Sequence, residues 1–187
     1  MIFGNKENFA IEAMIEPRLN PPSYVWGRLR IWILNIPIGN YDDPYCALYP
    51  SYSGFKEVSI ELDSLWLDDF YTLSDSEIWN LLDGSIYGYH GKEEIDYDKL
   101  YGDKVDYSAM YGKFNFLTNW GEMFDQDPRG KAFLFKEPGE KIKVLTHAGL
   151  NDTVESFYCN EFSFRSAVNE FCAWYDDQER ILDSKNA

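Results

Sequence analysis

Catalysis by side chains needs a nucleophile, an acid–base group or a metal ligand held beside a suitable partner, and this sequence offers few such sets. The two histidines, His90 and His147, lie in Gly-Tyr-His-Gly and Thr-His-Ala contexts, without the spacing of a metal-binding pair. His147 follows an expected strand and reads as a loop or rim residue, whereas His90, close to Lys92, is the better functional candidate. Cys46, Cys159 and Cys172 form no CxxC pair, and no Gly-x-Ser-x-Gly elbow occurs. Gly84, Gly88 and Gly91 do not make a phosphate-binding loop. Asp96-Tyr97-Asp98 opens like a calcium loop, but Leu100, Tyr101 and Tyr107 stand where a ligand, the turn glycine and the bidentate glutamate belong. A pair of catalytic carboxylates is defined by distance in space, so 32 acidic residues leave that chemistry open. No cofactor or metal is expected.

What does recur is tyrosine beside carboxylate. It occurs in Tyr41-Asp42-Asp43-Pro44-Tyr45, in Asp68-Asp69-Phe70-Tyr71, and most densely over 84–112. Tyrosine brings a large, rigid contact area with a polar tip, and carboxylates at its side suit the Arg and Lys of a cationic protein. Tyr89, Tyr97, Tyr101 and Tyr107, with Asp96, Asp98, Asp103 and Asp106, are therefore the candidate partner-binding residues. The alternative is that these rings pack on their own domain and the carboxylates are merely solvated.

The charge balance points the same way. Seventeen Lys and Arg against 32 Asp and Glu give a formal net charge of −15. Such a field repels phosphate backbones and anionic membranes and draws in a basic partner, although acidity alone also serves solubility. The expected partner is a basic protein, with neither nucleic acid nor membrane. The sparse, odd cysteine count and the lack of a signal-peptide pattern or an apolar membrane span suggest a cytoplasmic protein.

The elements that must hold these residues read as α+β. A length of 187 residues fits a single domain, 1–187. Phe9, Ile11, Ala13 and Ile15 alternate with less apolar neighbours up to Pro17, which predicts a strand. A second strand over 24–36 should pair with it, broken by Pro37 and Gly39. Over 56–70 the spacing is mixed, and a helix is expected in the second half. Ser74-Asp75-Ser76-Glu77 has capping-box spacing and predicts a helix ending near Gly84. Residues 84–112 lack periodicity and read as an irregular insert. Strands are expected at 113–117, 131–135, 141–145 and 154–159. A closing helix places Phe164, Ala167, Val168, Phe171, Cys172 and Tyr175 on one face, with Ser163 as its N-cap. An antiparallel sheet with a few helices, the main one amphipathic and C-terminal, is the expected architecture.

Both ends of the chain resemble a known family. Met1-Ile-Phe-Gly-Asn, Asn8-Phe9-Ala10-Ile11, and Trp26-Gly27-Arg28-Leu29-Arg30-Ile31-Trp32-Ile33 followed by Gly39-Asn40-Tyr41 are similar to the start of the family-forty-two immunity proteins. Trp120-Gly121-Glu122-Met123-Phe124, Lys131-Ala132-Phe133-Leu134-Phe135 and Glu140-Lys141-Ile142-Lys143-Val144-Leu145 resemble its second half. The match covers about half the chain, while the stretch around 42–112 departs from it, being longer and richer in tyrosine. The resemblance implies a role, sequestration of a cognate bacterial toxin in a polymorphic or contact-dependent system, and carries no site residues. An acidic nucleic-acid mimic that blocks a DNA-binding protein and a hydrolase using scattered carboxylates are the competing readings.

Overall fold

The computed structural model describes residues 1–19, 25–42, 44–87, 132–139, 141–147 and 153–185, with no side-chain description at 85–87. Two antiparallel sheets and three α-helices make up the described part. The first sheet runs β1 (Ile2–Asn5), β2 (Phe9–Ile15), β3 (Trp26–Ile33) and β4 (Ile36–Ile38), and β5 (Cys46–Ala47) also pairs with β3. The second sheet runs β6 (Ala132–Lys136), β7 (Ile142–Thr146) and β8 (Glu155–Cys159). The helices are α1 (Leu48–Glu61), α2 (Asp75–Tyr87) and α3 (Glu161–Ser184).

Alternation sets the register of the first sheet. Along β3 the odd-numbered residues Gly27, Leu29, Ile31 and Ile33 are buried while Trp26, Arg28, Arg30 and Trp32 face outward. Pairing of Ile11 with Ile31 and of Glu12 with Arg30 puts like with like on each face. Gly27 is required here, because a Cβ would come within 2.0 Å of the Met14 carbonyl oxygen. The chain leaves β3 earlier than Pro37 suggests: Leu34 and Asn35 take positive φ (51° and 67°), the geometry of a two-residue hairpin. Pro37 then sits inside β4, a three-residue strand at the margin where a missing N–H is tolerated.

α3 lies across β1 and β2 and packs against α1. Gly4, at φ 88°, permits this approach, since a Cβ there would stand 2.7 Å from that of Ala167. Rings interlock beneath it: Phe164 meets Phe9 edge-on at 4.9 Å, and Phe171 meets Phe3 and Phe55, each at 5.8 Å. The N-cap is Asn160, three residues ahead of the expected Ser163, whose own amide donates to the Asn160 side chain at 2.7 Å. That exchange explains the misplaced cap, since Ser163 is the group being capped.

The middle of the chain departs most from expectation. The helix is at 48–61, not in the second half of 56–70, where only short 3-10 turns occur at Leu62–Ser64 and Asp68–Thr72. Pro50 and Gly54 disguise α1, yet Pro50 falls in the first turn, where backbone N–H groups have no intrahelical acceptor. Val58, Ile60 and Leu62 alternate like a strand in sequence, but Val58 and Leu62 belong to the buried face of α1 and of the turn after it, whereas Ile60 points outward. The capping box is present as read: Ser74 donates its backbone N–H to Glu77 Oε2 at 2.7 Å and its Oγ accepts from Glu77 N at 3.4 Å. α2 runs through Gly84 to Tyr87, so that glycine does not stop it. The expected strand at 113–117 and most of the insert at 84–112 lie outside the described residues.

The second sheet is fastened to the 3-10 turns and α2 by aromatic contacts. Phe135 lies 5.3 Å from Phe70 and 6.0 Å from Trp66, and Phe133 lies 4.7 Å from Trp79. Lys136 N donates to the Leu65 carbonyl at 2.9 Å. A single cluster of buried apolar side chains runs from Phe3 and Phe9 through Phe55 and Phe135 to Phe171 and thus joins both sheets.

Candidate partner-binding surface

Tyr89, Tyr97, Tyr101, Tyr107, Asp96, Asp98, Asp103, Asp106 and His90 all lie outside the described residues. His147 is described, and its ring stands edge-on to buried Trp79 at 4.5 Å, half-buried at the end of β7. It is a packing residue at the rim of the second sheet, as its position after a strand suggests.

The outward face of the first sheet carries a locked polar layer. Glu12 Oε2 accepts from Arg30 Nε at 2.8 Å and from Trp32 Nε1 at 2.7 Å. The Lys6 ammonium lies 3.6 Å over the Trp32 ring, and the Arg30 guanidinium lies between Trp32 and Tyr41, at 4.4 and 4.6 Å. Burial works to raise the Glu12 carboxyl, but the Arg30 and Trp32 hydrogen bonds and the charges of Arg30 and Lys6 outweigh it and hold the group below its ordinary value of 4.5. A depressed carboxyl stabilises the fold above its unfolded value and loses that contribution as pH falls through the folded one. Glu12→Gln should therefore be less stable than the wild type at neutral pH, with the gap closing as pH drops below about 4.5. Urea unfolding of both proteins across that range checks this; a gap that does not change with pH contradicts it.

Two lysines of the second sheet fasten it to the helical elements by ionic contacts. Lys136 pairs with Asp63 and, at 2.7 Å, with Glu161, and these carboxylates raise its pKa. Glu161 also accepts from Arg165 Nε at 2.7 Å, and Arg165 reaches the Ser59 carbonyl at the end of α1. Lys143 pairs with Asp75 at the start of α2. Their geometry ties together elements distant in sequence, which is a structural role.

The seam between α1 and α3 is different in character. Tyr52 stacks on Tyr175 with centroids 4.5 Å apart, and Tyr49 stands 6.2 Å from Tyr52 and 6.5 Å from Tyr175. Tyr175 is buried, and that burial, with the Glu179 charge, drives its hydroxyl well above the ordinary range. Tyr49 is 57% exposed. Lys56 donates to the Tyr52 hydroxyl at 3.2 Å and lies 5.2 Å from its ring. Farther along α1, Ser53, Lys56, Glu57, Ile60 and Glu61 line a shallow groove of about 240 Å³, and Ile60 is 75% exposed. Sequence reading missed this stripe because it placed no helix at 48–61. The signal was the i, i+3, i+7 spacing of Leu48, Ser51 and Phe55, all buried, which leaves Tyr49, Ser53, Lys56 and Ile60 outward.

Burial pushes the Cys159 thiol up to about 12 and that of Cys172 up to about 11, which keeps both protonated at neutral pH. Among the described residues no three His, Cys, Asp or Glu side chains are grouped to hold a metal, and no helix is long and apolar enough to cross a membrane. What the described surface presents is contact area and charge, the equipment of a protein that binds another protein.

The comparisons with known proteins agree with that class. The sequence profile of the immunity protein 42 family matches residues 1–174, and the chain belongs to that family. Its fold is shared with the crystal structure of CdiI from Burkholderia dolosa AUO158, at TM-score 0.59 and 15% identity over 92% of this chain and 99% of the other. No curated protein matches the sequence.

Proposed function

We propose that this immunity protein neutralises a cognate bacterial toxin domain by covering its active or substrate-binding face, and that it does so by occupancy, without a chemical step of its own. Family membership across residues 1–174 carries the reading. The similarity in fold to a CdiI protein supports placing it in a contact-dependent system. The formal net charge of −15 gives the partner its sign: a cationic toxin domain, such as a nuclease whose cleft must attract phosphates. The site of action is the cytoplasm, and the whole chain acts as one domain.

The tyrosine-rich insert is proposed to contribute to the contact. Interface energy concentrates in a few buried aromatic anchors, for which Tyr89, Tyr97, Tyr101 and Tyr107 are suited, with Asp96, Asp98, Asp103 and Asp106 as charge partners. Replacing the four aspartates together with asparagine should weaken binding to the cognate toxin domain by about tenfold or more. The thermal midpoint should barely change, because solvated charges contribute little to folding. Calorimetric titration and thermal melts of the same preparations measure both; unchanged affinity would remove the insert from the interface. His90→Ala and His147→Ala should leave cells protected at matched levels of soluble protein, since covering a site needs no proton transfer.

A further inference from the structure

We infer that the exposed face of α1, together with the α3 carboxylates beside it, is a toxin-docking surface that receives an Arg- or Lys-bearing segment of the toxin. This rests on the immunity reading above and assigns it a place on the described structure. Two apolar side chains that the fold leaves in solvent mark its ends: Tyr49, 57% exposed, and Ile60, 75% exposed. Eleven residues of helix separate them by about 16 Å, a span suited to one face of a partner helix or loop. The groove of about 240 Å³ around Ser53, Lys56, Glu57 and Ile60 opens at the Ile60 end.

The chemistry of this face favours a cation. Asp176 and Glu179 on α3 are exposed and lie close enough to act electrostatically on the tyrosine seam: both carboxylates raise the Tyr175 hydroxyl, and Asp176 also acts on Lys56. Glu57 and Glu61 flank the groove on α1. A cation is already accommodated here, since Lys56 lies against the Tyr52 ring and bonds to its hydroxyl. An incoming guanidinium would find the exposed Tyr49 ring and the carboxylates of Asp176 and Glu179, and Arg is suited to both kinds of partner at once. The stacked Tyr52 and Tyr175 rings are fixed by packing, so the face is preorganised. Neither Tyr49 nor Ile60 belongs to the buried cluster, and folding gains little from leaving them outward. Among the other helical acids, Asp63, Asp75 and Glu161 are already paired with lysines of the second sheet and Asp177 with Arg180.

The probe is the candidate cognate toxin domain, cloned from the polymorphic-toxin genes of the native host and purified. Tyr49→Ala with Ile60→Ala should raise its Kd at least about 30-fold. Asp176→Lys with Glu179→Lys should slow association about tenfold or more. Tyr158→Ala, at the exposed position of β8 in the second sheet, should leave Kd within about threefold. All these side chains are exposed, so thermal midpoints should stay close to that of the wild type. If a variant nonetheless unfolds, carbodiimide footprinting of the wild type replaces it: the inference requires Asp176 and Glu179 to be protected in the complex. Wild-type binding that both helical variants retain, or unprotected carboxylates, overturns this surface and leaves the immunity reading standing. A wild type that fails to bind the toxin domain overturns the immunity reading and this surface with it.

Discussion

Phe171→Ala is expected to lower the unfolding free energy by about 3–5 kcal/mol, the usual result of truncating a fully buried phenylalanine. The ring has no solvent exposure and touches Phe3, Phe55 and Trp174, with centroids 5.8, 5.8 and 5.9 Å away. It thereby links β1, α1 and α3. Removing it leaves a cavity where three elements meet and none can close alone, so relaxation is limited. Against a total stability of about 5–15 kcal/mol for a typical domain, the urea midpoint should fall by more than about 1 M. Phe162 offers an internal comparison, being the same residue type in the first turn of the same helix but 83% exposed. Phe162→Ala should change stability by no more than about 0.5 kcal/mol. Equal effects at the two positions would mean that α3 is not seated as described.

Association with the toxin domain should slow about tenfold or more as salt rises from about 20 mM to physiological strength, with dissociation changing far less. The formal charge of −15 is the motive, and its layout sharpens the expectation. Acids on the first sheet and at the second-sheet junctions are engaged by Arg and Lys, whereas Asp176, Glu179 and Glu57 are exposed along the helices. Long-range attraction acts before contact, so it appears in the on-rate. Stopped-flow or surface-binding kinetics over a salt series measures it. An on-rate indifferent to salt would mean that the acidity serves solubility alone.

Where hydrophobic period and end signals agree, the sequence is readable. β2, β6, β7 and β8 fall within a residue or so of the alternating runs, because each pairs an apolar face with a bounded length. α2 is legible from Ser74 and Glu77, and α3 from five buried positions at helical spacing. α1 is not, because Pro50 and Gly54 argue against a helix locally and only packing of Leu48, Phe55 and Val58 against the core overrides them. β1, β4 and β5 are too short to carry a period and exist through their neighbours. The proposed helical docking surface was not legible in the sequence. Tyrosine beside carboxylate in linear order draws attention to 84–112, most of which lies outside the described residues. The helical seam brings Tyr49 and Tyr52 to Tyr175 and Asp176 from distant parts of the chain, a juxtaposition that only the tertiary fold creates.

The central claim, neutralisation by occupancy, is tested most directly by titrating the immunity protein into a fixed amount of the purified toxin domain and following the toxin's own activity. Occupancy predicts that activity falls in proportion to added protein, reaches its floor near about one molar equivalent, and returns when the complex is dissociated. Progressive, irreversible loss of activity at a small fraction of an equivalent would contradict the account, because only a protein that turns over could silence more toxin than it can bind.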